Sequence, residues 1–80
     1  MTIRKYEHDK KADAIYITLV NDPVAYTKSL DETRLIDYDT KGNPIGIELL
    51  CVSNGVILDD LPIAAEIAQV LANKNIKTYA

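Results

Sequence analysis

The sequence predicts an α+β domain: an antiparallel β-meander of four to five strands with one C-terminal helix packed on one face. Three observations carry this. Short runs rich in β-branched and aromatic residues recur over about residues 3–58, separated by Asp, Asn, Gly and Pro turn chemistry. Ile63, Ile67, Val70 and Leu71 then fall at helical spacing and form one apolar stripe over about residues 62–73. The chain has 80 residues, so residues 1–80 make a single domain. A domain of this size buries only roughly 60–65% of the surface its unfolded chain exposes, and its core is thin.

Ile3 to Glu7 is a short edge strand, followed by a polar turn from His8 to Asp13. Ala14 to Val20 is the clearest strand, and Asn21-Asp22-Pro23 ends it. Val24 to Leu30 alternates bulky and small residues, as a strand with one buried face does. Thr33 to Tyr38 and Ile45 to Val52 form a hairpin through Asp39-Thr40-Lys41-Gly42, in which Asp39 opens a type I turn and Gly42 takes the left-handed position. Asp39 then pairs with Asn43, which sets Asp37 against Ile45, Leu35 against Ile47 and Thr33 against Leu49. This register puts Leu35, Ile45, Ile47, Leu49 and Cys51 on the helix-covered face and Arg34 opposite Glu48 on the other. Asn54-Gly55 is a turn, Val56 to Leu58 a short extended segment, and Asp59-Asp60-Leu61-Pro62 the start of the helix, with a carboxylate cap. The last five residues are frayed or extended.

One helix cannot cover two sheet faces. The opposite face is left with Tyr16, Val20, Ile36, Tyr38, Leu50 and Tyr26, and uncovered apolar or aromatic patches mark interaction surfaces. Tyr16, Ile36, Tyr38 and Leu50 are therefore the candidate interface, for a homodimer or another protein partner.

Composition narrows the function classes. Apolar residues make up 48% and charged residues 26%, a globular balance. The formal charge is −3, and the densest basic stretch, Lys10-Lys11, is flanked by Asp9 and Asp13. Nucleic-acid binding is not expected from such a chain, whereas a basic protein partner suits it. No apolar stretch approaches the roughly 20 residues of a membrane span, and no apolar run near the N-terminus reads as a signal sequence. Cys51 is the single cysteine, so no intramolecular disulfide forms, and a cytoplasmic location is expected.

Two segments resemble a known family. His8-Asp9-Lys10-Lys11-Ala12-Asp13-Ala14-Ile15-Tyr16-Ile17, and the run from Leu35 through the Asp37–Gly42 hairpin into Gly46-Ile47-Glu48, are similar to the small prokaryotic family catalogued as domain of unknown function 2283. His8 stands where members more often carry Tyr, and Tyr6 takes that place here. The resemblance covers roughly residues 6–52. It implies a compact, mostly β domain from a bacterium, archaeon or phage, and it implies no reaction.

Asp13, Asp37, Asp39 and Glu48, with Tyr16 nearby, are the one constellation with catalytic potential, in which Asp13, Asp37 and Glu48 would act: two carboxylates as acid and base, or oxygen ligands for magnesium or manganese. That would make the protein a small metal-dependent or acid/base hydrolase. The structural reading is simpler: Asp39 fastens its turn, Glu48 pairs with Arg34, and Asp9 and Asp13 hold the first hairpin loop. Asp37 alone has no evident structural task. His8 sits in a polar turn without a nucleophile beside it, and Cys51 reads as a buried, inert thiol. No Cys or His pair has zinc spacing, Gly42 and Gly46 do not make a phosphate-cradling loop, and no cofactor is expected. Gly46 instead lets a neighbouring tyrosine ring lie across the sheet.

Overall fold

The computed structural model describes residues 2–79. Five antiparallel strands form the main sheet: β1 (Lys5–Asp9), β2 (Ala14–Thr18), β3 (Tyr26–Ser29), β4 (Arg34–Tyr38) and β5 (Pro44–Leu50). A single 3₁₀ turn (Val52–Asn54) leads to β6 (Val56–Ile57), helix α1 (Ala64–Asn73) and β7 (Thr78–Tyr79). The α+β class and the one C-terminal helix are as the sequence predicts.

The strand order is β1-β2-β5-β4-β3, which is not the sequential order of a simple meander. The chain leaves β2, crosses to the far edge for β3, and returns through β4 so that β5 docks beside β2. Composition explains the order. β2 and β5 are the most apolar strands and take the inner positions, whereas β3, Tyr-Thr-Lys-Ser, is exposed along its length and lies at an edge. The tail is extended: β7 pairs in parallel with β6, and a Cβ at Gly55 would overlap the Tyr79 ring that lies over it.

Helix α1 covers one face. Ile67 and Leu71 pack in one cluster with Ile15, Ile17 and Leu19 and with Ile47 and Leu49, and Val52, Val56 and Leu61 join from the C-terminal segment. Each fully buried side chain of this kind stabilises the fold by about 1.5–3 kcal/mol relative to exposure. The expected carboxylate cap is absent. Ile63 occupies the N-cap position at φ 47° with no side-chain hydrogen bond, so the helix is held by its buried stripe and not by its end.

The hairpin register departs from the expected one in an instructive way. Tyr38 lies opposite Pro44 and Asp39 bonds Asn43, as expected. Ile45 is then an extra residue in β5, and beyond it Asp37 faces Gly46, Ile36 faces Ile47 and Leu35 faces Glu48. One inserted residue exchanges the faces of a strand relative to its partner. Ile36 is buried on the helix side and is not an interface residue, while Leu35 and Asp37 turn to the uncovered face. Tyr38 shares the helix-side face of β4 with Ile36 and stacks on Tyr26, ring centroids 5.1 Å apart. Val20 packs against the core cluster. Cys51 leaves the strand in a left-handed conformation, φ 52°, and is exposed.

Arg34 therefore does not meet Glu48. Its guanidinium is buried and binds the sheet to the C-terminal segment. Nε and Nη2 each donate to Asp31 Oδ2 at 2.9 Å. Nη1 donates to the Ile57 carbonyl at 3.0 Å and to the Asp59 carbonyl. The Arg34 bond, then those from the Thr33 amide and hydroxyl, hold the Asp31 carboxyl at about 2 against an ordinary 3.8. Because the folded value is the lower one, the stability this contributes is complete above pH 3.8 and lost as pH falls toward about 2. Thermal melts across that window should show the native chain losing more stability than Asp31→Asn; equal losses would mean that the Asp31–Arg34 pair does not form in solution.

Candidate functional site

The uncovered face carries a row of side chains that spans four strands. Tyr16 on β2 lies opposite Glu7 on β1 and Glu48 on β5. Its ring leans along β5 over Gly46, where a Cβ would overlap the phenol oxygen and come within 2.8 Å of the ring carbon Cζ. Only glycine leaves that space, which is the role expected for Gly46. The Tyr16 hydroxyl reaches Asp37 on β4 and donates to Oδ2 at 2.5 Å. Thr27, opposite Asp37 on β3, donates its hydroxyl to Oδ1 at 2.5 Å.

Asp37, the carboxylate without an evident task in the sequence, is the acceptor at the centre of this row. Burial raises the Tyr16 phenol well above its ordinary 10, and the Asp37 hydrogen bond and charge, then Glu48 and Glu7, push it further in the same direction. Tyr16 is thus a fixed proton donor over the whole physiological range. It is not a base waiting for a substrate proton.

Asp13, Asp37 and Glu48 do not converge. Asp13, at φ 54°, accepts the Ser53 amide at 3.0 Å and the Ser53 hydroxyl at 2.6 Å, and its carbonyl accepts the Val52 amide at 3.1 Å. It fastens the β1–β2 turn to the 3₁₀ turn after β5, and does not serve its own loop alone. Asp9 closes that loop by accepting the Ala12 amide at 3.1 Å. Asp39 fastens its own turn as expected, with the Lys41 and Asn43 amides both at 2.9 Å. Among the described residues no group of three His, Cys, Asp or Glu side chains is placed to hold a metal ion. His8 lies within β1 opposite Ile15, half-buried and not in a turn.

Glu48 remains, half-buried beside Tyr16. With Glu7, Asp9, Ala12, Ala14, Tyr16 and Leu50 it lines a shallow depression of about 370 Å³. The floor is apolar and the rim is acidic. Of the four candidate interface residues, Tyr16 and Leu50 lie on this face, Ile36 and Tyr38 on the other, and Leu35 takes a place that the sequence register denied it.

The chain belongs to the family described as Protein of unknown function (DUF2283), whose model matches residues 5–53. That span holds the whole five-stranded sheet and the Tyr16–Asp37–Thr27 row, and ends at Ser53, the residue that Asp13 binds. No curated protein matches the chain, and no solved structure matches it. No helix among the described residues is long and apolar enough to cross a membrane.

Two substitutions test the row. Gly46→Ala forces the Tyr16 ring aside and should cost about 1–3 kcal/mol in denaturant unfolding. Tyr16→Phe removes the bond to Asp37 and should cost about 1 kcal/mol. In the Tyr16→Phe background the Gly46→Ala penalty should persist in part, because the ring still lies over residue 46. Full additivity with no loss from Gly46→Ala alone would show that the ring lies elsewhere.

Proposed function

We propose that the protein is a small interaction module that docks a basic segment of a protein partner on the uncovered sheet face. One observation carries the reading: the half-buried side chains Tyr16 and Leu50 line the shallow depression with the carboxylates Glu7, Asp9 and Glu48, and half-buried Leu35 lies on the same face opposite Glu48. Apolar area supplies affinity, and an acidic rim selects a partner of opposite charge and speeds its approach. The net charge of −3 favours the same class of partner. A partner segment with one bulky apolar side chain between lysines or arginines fits the floor and the rim together.

The reading includes a cytoplasmic setting in a prokaryote. A domain whose one cysteine is free and exposed has no disulfide to support it, as suits a reducing compartment. The structural acceptors Asp13 and Asp37 are not asked to do chemistry.

A photo-crosslinking residue placed at Leu50, and separately at Leu35, should capture the same discrete protein in cells. The same residue at exposed Gln69, on α1, should not. Glu7→Lys with Glu48→Lys should abolish the adduct, and raised salt should weaken it. Adducts that are as strong from position 69, or indifferent to charge reversal, would defeat the proposal.

A further inference from the structure

The sheet has two edges, and they are unlike. β1 carries Lys5, Glu7 and Asp9 exposed along its length, with Lys5 and Glu7 paired at 3.7 Å, and charged edges resist the addition of another strand. β3 carries one charge in four residues, and Val24, Tyr26 and Leu30, at or beside it, are three of the large apolar side chains exposed on the molecule. Among the described residues nothing pairs with this edge, because β3 is the last strand in the order.

The hydrogen-bond phase of β3 tells which backbone groups are free. The Leu30 amide donates inward to the Arg34 carbonyl, and the Ala25 amide, just before the strand, donates inward to the Tyr38 carbonyl and is not free. Antiparallel strands alternate residues that bond the neighbour with residues that face away. Lys28 therefore bonds Ile36, and Thr27 and Ser29 turn their amides and carbonyls outward.

We infer that β3 pairs with β3 of a second copy, antiparallel about a two-fold axis at Thr27, joining the two sheets edge to edge. This surface is separate from the face proposed to dock a partner. The outward groups restrict the possible registers, and side chains choose among them. Centring on Lys28 would set like charges directly opposed, which is destabilising. Centring on Ser29 would set Tyr26 opposite the acidic Glu32. Centring on Thr27 sets Tyr26 opposite Lys28 of the other copy, and Lys28 opposite its Tyr26. The Lys28 ammonium already lies 6.0 Å from the Tyr26 ring centroid within one chain, so the pair is one that these two side chains form readily. The same register brings Leu30 beside Val24 of the second copy. A two-fold interface needs a self-complementary patch, and this segment is one.

Native mass spectrometry and sedimentation of the full chain should give a dimer, and the Thr27 and Ser29 amides should exchange more slowly as protein concentration rises. Tyr26→Lys sets lysine opposite lysine and should give a folded monomer, with fold checked by circular dichroism. Adding Lys28→Tyr to it restores opposed aromatic and cation, and should restore the dimer. Leu50→Lys, on the other surface, should leave the dimer intact. A monomer at all concentrations, fast exchange at Thr27 and Ser29 throughout, or a dimer lost with Leu50→Lys but not with Tyr26→Lys would overturn the inference.

Discussion

Ile45 is one residue more than a regular hairpin needs, and the arrangement of both sheet faces depends on it. With Ile45 inserted, Ile36 meets Ile47 on the helix side, and Asp37 meets Gly46 on the other. Without it, Asp37 would lie opposite buried Ile45 on the helix side, where an unpaired carboxylate is costly. The insertion also bends β5, and the Ile45 carbonyl accepts both the Leu19 and Val20 amides as β2 ends. The bulge thus closes the end of the β2–β5 pairing, which runs from Ala14 and Leu50 to Thr18 and Gly46.

Everything on the uncovered face follows from that exchange. Asp37 lands within reach of Tyr16 and Thr27, Gly46 clears room for the Tyr16 ring, and Leu35 joins Leu50 as half-buried apolar area. The polar row is internally satisfied: each Asp37 oxygen has a donor, and the Tyr16 proton is committed. Such a row fixes the spacing of four strands and supplies a rigid platform. A rigid, partly apolar platform with an acidic rim is suited to recognition, which is the role proposed for this face.

Much of this was legible in the residues. Ala14–Thr18 and the Asp39–Gly42 turn announced themselves through β-branched density and turn chemistry, and the i, i+4, i+8 stripe located α1. Gly46 was readable as a site of close ring approach. The bulge was not, because both ends of the hairpin satisfy a regular register locally and only the burial of Ile36 decides between them. Three differences come from this one source: Ile36 and Tyr38 lie on the helix side, Arg34 does not meet Glu48, and Leu35 lies on the other face; Cys51 is exposed for a separate reason, the left-handed turn that follows β5. The strand order was illegible for another reason. Pairing β2 with β5 is a long-range choice driven by which strands have most to bury, and local pattern does not report it.

The make-up of both sheet faces depends on the pairing of β4 with β5. In this register Ile36 and Ile47 are a non-hydrogen-bonded pair, whose Cα atoms approach to about 4.5 Å, and their Hα protons should give a strong nuclear Overhauser contact. A contact from the Ile36 Hα to the Gly46 Hα protons in its place would restore the regular hairpin. It would return Asp37 to the helix side and remove the row from Tyr16 to Thr27.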